Sequence, residues 1–172
     1  MTGAWLRVYT AIWIATLGFA ALIAAGGPGL TRPVRQLLEA RLTPSNNPPP
    51  NVGHILTLAA HNIPIAAWPL LLGVIGAEQH HLTRQAADTL LVACLCVNVL
   101  QVAAALGAYG TPLLPYIPQL PLEWAGLALG AGSWLVQRDR QLTGRERLVW
   151  LALTAVVMLF AAVLETVAVP HR

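Results

Sequence analysis

The sequence predicts an all-α membrane protein, a polytopic bundle of about five transmembrane helices plus a short amphipathic interfacial helix. Three observations carry this. Of 172 residues, 56% are apolar and only 10% charged, well below the charge that a water-facing globular surface requires. Mean hydropathy is +0.63. The apolar residues fall into runs long enough for a hydrocarbon core of about 30 Å, and short stretches rich in Pro, Gly and Arg separate them. The length suits one integral membrane domain over residues 1–172.

The first span, TM1, covers 5–25. It exceeds the apolar core of a secretory signal, about 7–15 residues, so a retained span is expected, stopped by Gly26-Gly27-Pro28-Gly29. Residues 31–43 repeat Val34, Leu37, Leu38 and Leu42 at threes and fours, with Arg32, Arg35, Glu39 and Arg41 between them. That pattern predicts the interfacial helix, with Thr31 as N-cap and Pro33 in its first turn. Pro44 to Asn51 then forms a stiff connection of polyproline character.

TM2, residues 54–77, contains His61, Asn62, Pro64 and Pro69; two prolines in one apolar run predict kinks. Glu78 to Arg84 is a polar loop. TM3 covers 86–108, with Asp88 near its start and Asn98 and Gln101 in its middle. The uncharged, Gly- and Pro-rich stretch from Tyr109 to Pro121 is expected to be a loop or a shallow re-entrant segment. TM4, residues 120–137, carries Gly126, Gly130 and Gly132, small residues that permit close helix contact and suggest a homo-oligomer. A basic loop from Gln137 to Arg147 leads to TM5, residues 148–169, with Glu165 near its end and Pro170-His171-Arg172 after it.

All ten basic residues are arginine. With abundant Ala, Leu, Gly and Pro this suggests a GC-rich bacterial genome and hence the bacterial cytoplasmic membrane. Five spans place Arg7, Arg84, Arg138, Arg140, Arg145 and Arg147 on one side and Arg32, Arg35, Arg41 and Arg172 on the other. The excess favours a cytoplasmic N-terminus. The net charge of +3 lies in short loops and sets orientation; nucleic acid is not an expected partner.

Polar groups inside apolar helices carry what the sequence hints of function, because a charge at bilayer depth is normally held by a partner or a wet cavity. Glu123 opens TM4 and Glu165 closes TM5, so both fall toward one leaflet. Two carboxylates sharing a low-dielectric site would hold a proton between them. His61 and Asn62 enter from the same side, and with Gln119 they complete a candidate polar intramembrane pocket: Glu123, Glu165, His61, Asn62 and Gln119. The competing reading is structural, with these groups as interhelical glue or at headgroup level. No catalytic residue, metal site or cofactor is assigned. Cys94 and Cys96, two apart on a helix, cannot pair with each other. His80 and His81 lack ligand spacing, and GxSxG, Walker A and GxGxxG motifs are missing. The six tryptophans suit an interfacial aromatic belt.

Several stretches together resemble the stage II sporulation protein M family. Asn98 and Gly107, then Pro118-Gln119-Leu120-Pro121-Leu122-Glu123, then Gly130 and Gly132, look like its central signature, a Pro-His-Gly-x-x-Glu-Leu type stretch opening a Gly-rich helix. His61-Asn62 with Leu70-Leu71-Leu72-Gly73 is similar to its Asn-Asn…Leu-Gly segment, and Leu164-Glu165 with Val169-Pro170 to the Ile-Glu…Thr-Pro ending of its last helix. The match runs from His54 to Pro170, with Gln119 where the family has histidine and Leu120 where it has glycine. The resemblance implies a non-enzymatic scaffold or subunit of a membrane complex, whose partners are the bilayer, other membrane or envelope proteins and further copies of itself. A transporter or transport-complex subunit using the carboxylates, or an intramembrane enzyme, is the alternative. The basic loop is the expected docking element.

Overall fold

The computed structural model describes residues 2–41 and 51–168. Thr43, the proline-rich 44–50, Val169 and His171 lie outside the described residues. Among the described residues the chain is all-helical: α1 (Thr2–Ala25), α2 (Gly27–Arg41), α3 (Val52–Ala67), α4 (Pro69–Val74), α5 (His81–Tyr109), a 3-10 turn (Thr111–Tyr116), α6 (Leu120–Asp139) and α7 (Gly144–Ala168). Three helices are long and apolar enough to cross a membrane, over Gly3–Ala25, His81–Tyr109 and Gly144–Ala168. Their outer faces are greasy, with Ile14, Leu22, Leu90, Val97, Phe160 and Val167 all exposed.

The core runs along α6. Twelve of its 20 residues are buried, against two on α1. It packs on α1, α3, α4 and α7, while α5 packs mainly on α1 and meets α6 more lightly, with Ala87 and Leu91 clustered against Ala131 and Trp134. Each glycine on α6 serves a different neighbour. A Cβ at Gly126 would overlap the thioether of Met158 on α7, one at Gly130 the carbonyl oxygen of Ala66 on α3, and one at Gly132 would come within 2.7 Å of the Trp5 backbone on α1. The close approaches on which the sequence based an oligomer are therefore spent inside the chain. Gly107 makes a fourth, where a Cβ would lie 2.7 Å from the Ala20 carbonyl oxygen, locking α1 to α5.

Buried hydroxyls are satisfied within their own helices: Thr16 donates to Ile12 O at 2.8 Å, Ser133 to Gly130 O at 2.6 Å and Thr154 to Trp150 O at 2.9 Å. That is how a short polar side chain enters an apolar core without a partner helix.

Several boundaries differ from expectation. Only Gly26 interrupts α1 and α2; Gly27, at φ +56°, takes the left-handed conformation open to glycine and the helix resumes. Thr31 is thus not an N-cap but an interior residue donating to Gly27 O at 3.0 Å, and Pro33 lies inside the helix. The span expected over 54–77 is two pieces. Pro64 is absorbed in α3, whereas Pro69, which has no N–H, starts a new helix after Trp68. The uncharged stretch after Tyr109 is the 3-10 turn. The basic loop shrinks to four residues, because α6 continues to Asp139 and α7 begins at Gly144. A capping box starts α7: Thr143 Oγ1 accepts from Glu146 N at 3.2 Å while Glu146 accepts from Thr143 N at 2.9 Å.

The predicted interfacial helix, α2, folds back on the end of α5. Arg35 Nε donates to Ala108 O at 2.7 Å and its guanidinium lies 5.3 Å from the centre of the Tyr109 ring. A cation meeting the unpaired last carbonyls of a helix is favoured by both hydrogen bonding and the dipole.

Gly130→Ala is expected to destabilise the bundle by about 1–3 kcal/mol, the range for an overpacked contact, since the Ala66 carbonyl is backbone and cannot swing away. Gly18→Ala, with open space around its Cα, should leave the thermal midpoint in detergent unchanged or raise it. Equal midpoints for the two variants would refute the close crossing of α3 and α6.

Candidate functional site

Glu123 stands in the first turn of α6, where the positive end of the helix dipole favours an anion. Glu165 stands in the last turn of α7, where the same dipole disfavours one. Both are half-buried. The two side chains are near enough to repel one another, and His54, in the first turn of α3, is the group that attracts Glu165. Antiparallel packing of α7 against both α3 and α6 brings the three ionisable groups to one end of the bundle.

Gln119 precedes α6 in helical backbone conformation and makes no cap with its side chain. It is buried, and its Oε1 has no partner. One turn on, the Trp124 indole is 2% exposed and its Nε1 has no partner either. An acceptor and a donor are thus left unmet beside two carboxylates. Such atoms cost about 1–3 kcal/mol each when buried without a hydrogen bond.

His61 is exposed and Asn62 half-buried, and neither side chain makes a hydrogen bond among the described residues. The histidine whose charge acts on Glu165 is His54, two turns nearer the start of α3. Its position was readable: it lies seven residues before His61, on the same helix face, and at the end of the bundle where Glu165 sits.

A second set of polar groups, not singled out by sequence pattern, occupies the opposite end. Gln137 is 1% exposed, with its side chain against Gly73 and both amide atoms unpartnered. Arg147 Nη2 donates to Gly73 O at 3.1 Å while its Nε is buried and unpartnered, as is Trp150 Nε1. Asp88 accepts from Trp134 Nε1 at 2.8 Å and pairs with Arg138 at 3.4 Å. Arg140 holds Glu146 through two bonds, of 3.0 and 2.6 Å, which keep its guanidinium above the usual value. Three of the four arginines expected to dock a partner (Arg138, Arg140 and Arg147) are therefore engaged within the chain.

Among the described residues no three His, Cys, Asp or Glu side chains converge as metal ligands. Cys94 is half-buried and Cys96 exposed.

Replacing Glu123 or Glu165 by Gln should each raise the thermal midpoint at neutral pH, because either change removes the repulsion. The double variant should gain less than the sum, with a coupling of about 0.5–3 kcal/mol for groups in contact. Strict additivity would place the carboxylates out of range of each other. Comparison with protein-family models, curated proteins and solved structures gives no match for this chain.

Proposed function

We propose that this protein is a non-enzymatic, multi-pass subunit of a membrane complex, presenting the Glu123–Glu165 end of its bundle to a partner. The observation that carries the reading is the unmet acceptor of Gln119 and unmet donor of Trp124 beside those carboxylates. α6 between residues 126 and 134 is filled on every side, which supports a static core better than a moving one. In this reading α3–α4 and α6 join the three long apolar helices as five spans. The N-terminus is cytoplasmic and the carboxylates lie toward the outer leaflet of a bacterial cytoplasmic membrane. The resemblance to the stage II sporulation protein M family supports the scaffold role, with another membrane or envelope protein, or a second copy of this chain, as the partner.

A second reading rests on the carboxylates and His54. Two acids that repel each other beside a histidine form a group able to take up and release a proton, as the site of a proton-coupled transport subunit would.

The two readings part experimentally. A photo-crosslinker at Leu122, on the turn that carries Glu123, should yield one discrete adduct in native membranes, and Glu123→Gln with Glu165→Gln should reduce it severalfold. The same crosslinker at Leu148, at the opposite end, should not give it. No adduct from Leu122, together with a pH-driven flux in liposomes that Glu123→Gln abolishes, would replace the assembly reading by transport.

A further inference from the structure

Between α1, α5 and α6 lies a groove of about 370 Å³ lined wholly by apolar side chains, among them Ala11, Ala15, Phe19, Val92, Cys96 and Leu135. It exists because α5 packs mainly on α1 and meets α6 more lightly. It opens on the greasy face of the bundle, where Val92 and Leu100 are exposed.

Its two ends are unlike. α1 and α5 run parallel, with Gly107 against Ala20, and α6 runs opposite to them, with Gly132 against Trp5. The start of α1, the start of α5 and the end of α6 therefore share one end. There each lining stripe continues into an arginine. Arg7 precedes Ala11 and Ala15 by one and two turns, Arg84 precedes Leu91 by seven residues, and Arg138 follows Leu135 by three. Residues at these spacings share a helix face. Arg138 is shared with Asp88, while the side chains of Arg7 and Arg84 make no hydrogen bond or ion pair among the described residues. From Val8 to Phe19 the groove rises about 16 Å at 1.5 Å per residue, close to one leaflet of a core about 30 Å thick.

An apolar slot one leaflet deep, with unpaired cations at one end, matches one molecule in both length and charge. We propose that the groove seats an acyl chain of an anionic phospholipid, whose phosphate is held by Arg7 and Arg84. The proposal needs the membrane setting and stands apart from the proposed function, since the arginine end of the groove lies at the end of α6, away from Glu123 in its first turn.

Native mass spectrometry of the full chain in detergent, with dioleoyl phosphatidylglycerol or dioleoyl phosphatidylcholine added, tests it. Phosphatidylglycerol should be retained over phosphatidylcholine by about fivefold for each arginine that meets the phosphate. Arg7→Gln with Arg84→Gln should bring the ratio to parity, whereas Arg32→Gln, on α2 at the other end, should leave it unchanged. Ala15→Phe and Cys96→Phe fill the groove from different helices, and each should lose retention of both lipids with the lipid-free thermal midpoint unchanged. Equal retention of the two lipids by the unaltered chain would overturn the proposal. So would a preference that survives the double arginine substitution, retention that survives both groove-filling variants, or a dimer peak, in place of lipid, that those variants abolish.

Discussion

Close approach at the glycines of α6 is the constraint from which the rest of the structure follows. In hydrocarbon an apolar helix gains little by exchanging lipid contacts for protein ones, so backbones must come near enough for dense packing to tip the balance. Gly126, Gly130 and Gly132 allow this toward α7, α3 and α1 in turn. One helix with three bare faces organises a bundle in which most other helices touch two or three neighbours. The trade is conformational: glycine weakens a helix by roughly 0.5–1 kcal/mol relative to alanine, which α6 recovers only by being surrounded.

A core sealed by small residues leaves polar atoms at its ends. Toward the start of α6 the unmet groups are Gln119 and Trp124, with Glu123 and Glu165; toward its end they are Gln137, Arg147 and Trp150. The two ends differ in kind. At the α7 start, charges are neutralised locally, Arg140 by Glu146 and Arg138 by Asp88, and the capping box fixes the turn. At the other end no ion pair neutralises Glu123 or Glu165 among the described residues, and both carboxylates are half-buried.

The helical class and the broad order of elements were legible, because apolar runs and proline breaks are strong local signals. Glu123 and Glu165 stood out in the sequence for the same reason: charge within an apolar run is conspicuous, and the antiparallel packing of α6 and α7 follows from their short connection. What escaped was which helix faces meet. His54 was passed over for His61, although it lies on the same helix face seven residues earlier, because His61 and Asn62 interrupt the apolar run whereas His54 only opens it. The glycines read as an external surface, since a small-residue stripe is identical whether its partner belongs to the same chain or another. The arginine loop looked free because two of its counter-groups, Asp88 for Arg138 and the Gly73 carbonyl for Arg147, lie 50 and 74 residues away in sequence, while Glu146, the partner of Arg140, is local.

The four-residue turn from Arg140 to Thr143 has a consequence for how the chain enters its membrane. α6 carries Glu123, Gln137, Arg138 and Asp139 and is not among the three helices apolar enough to cross by composition alone. α7, tied to it through that turn, is rich in Leu and Val. On the five-span arrangement, α6, with Glu123 in its first turn and Arg138 and Asp139 in its last, has less apolar drive than α7 to partition as an isolated segment. Its biogenesis is then that of a helical hairpin, in which the trailing helix supplies the hydrophobic pull and the leading one is retained by closing onto α1 and α3.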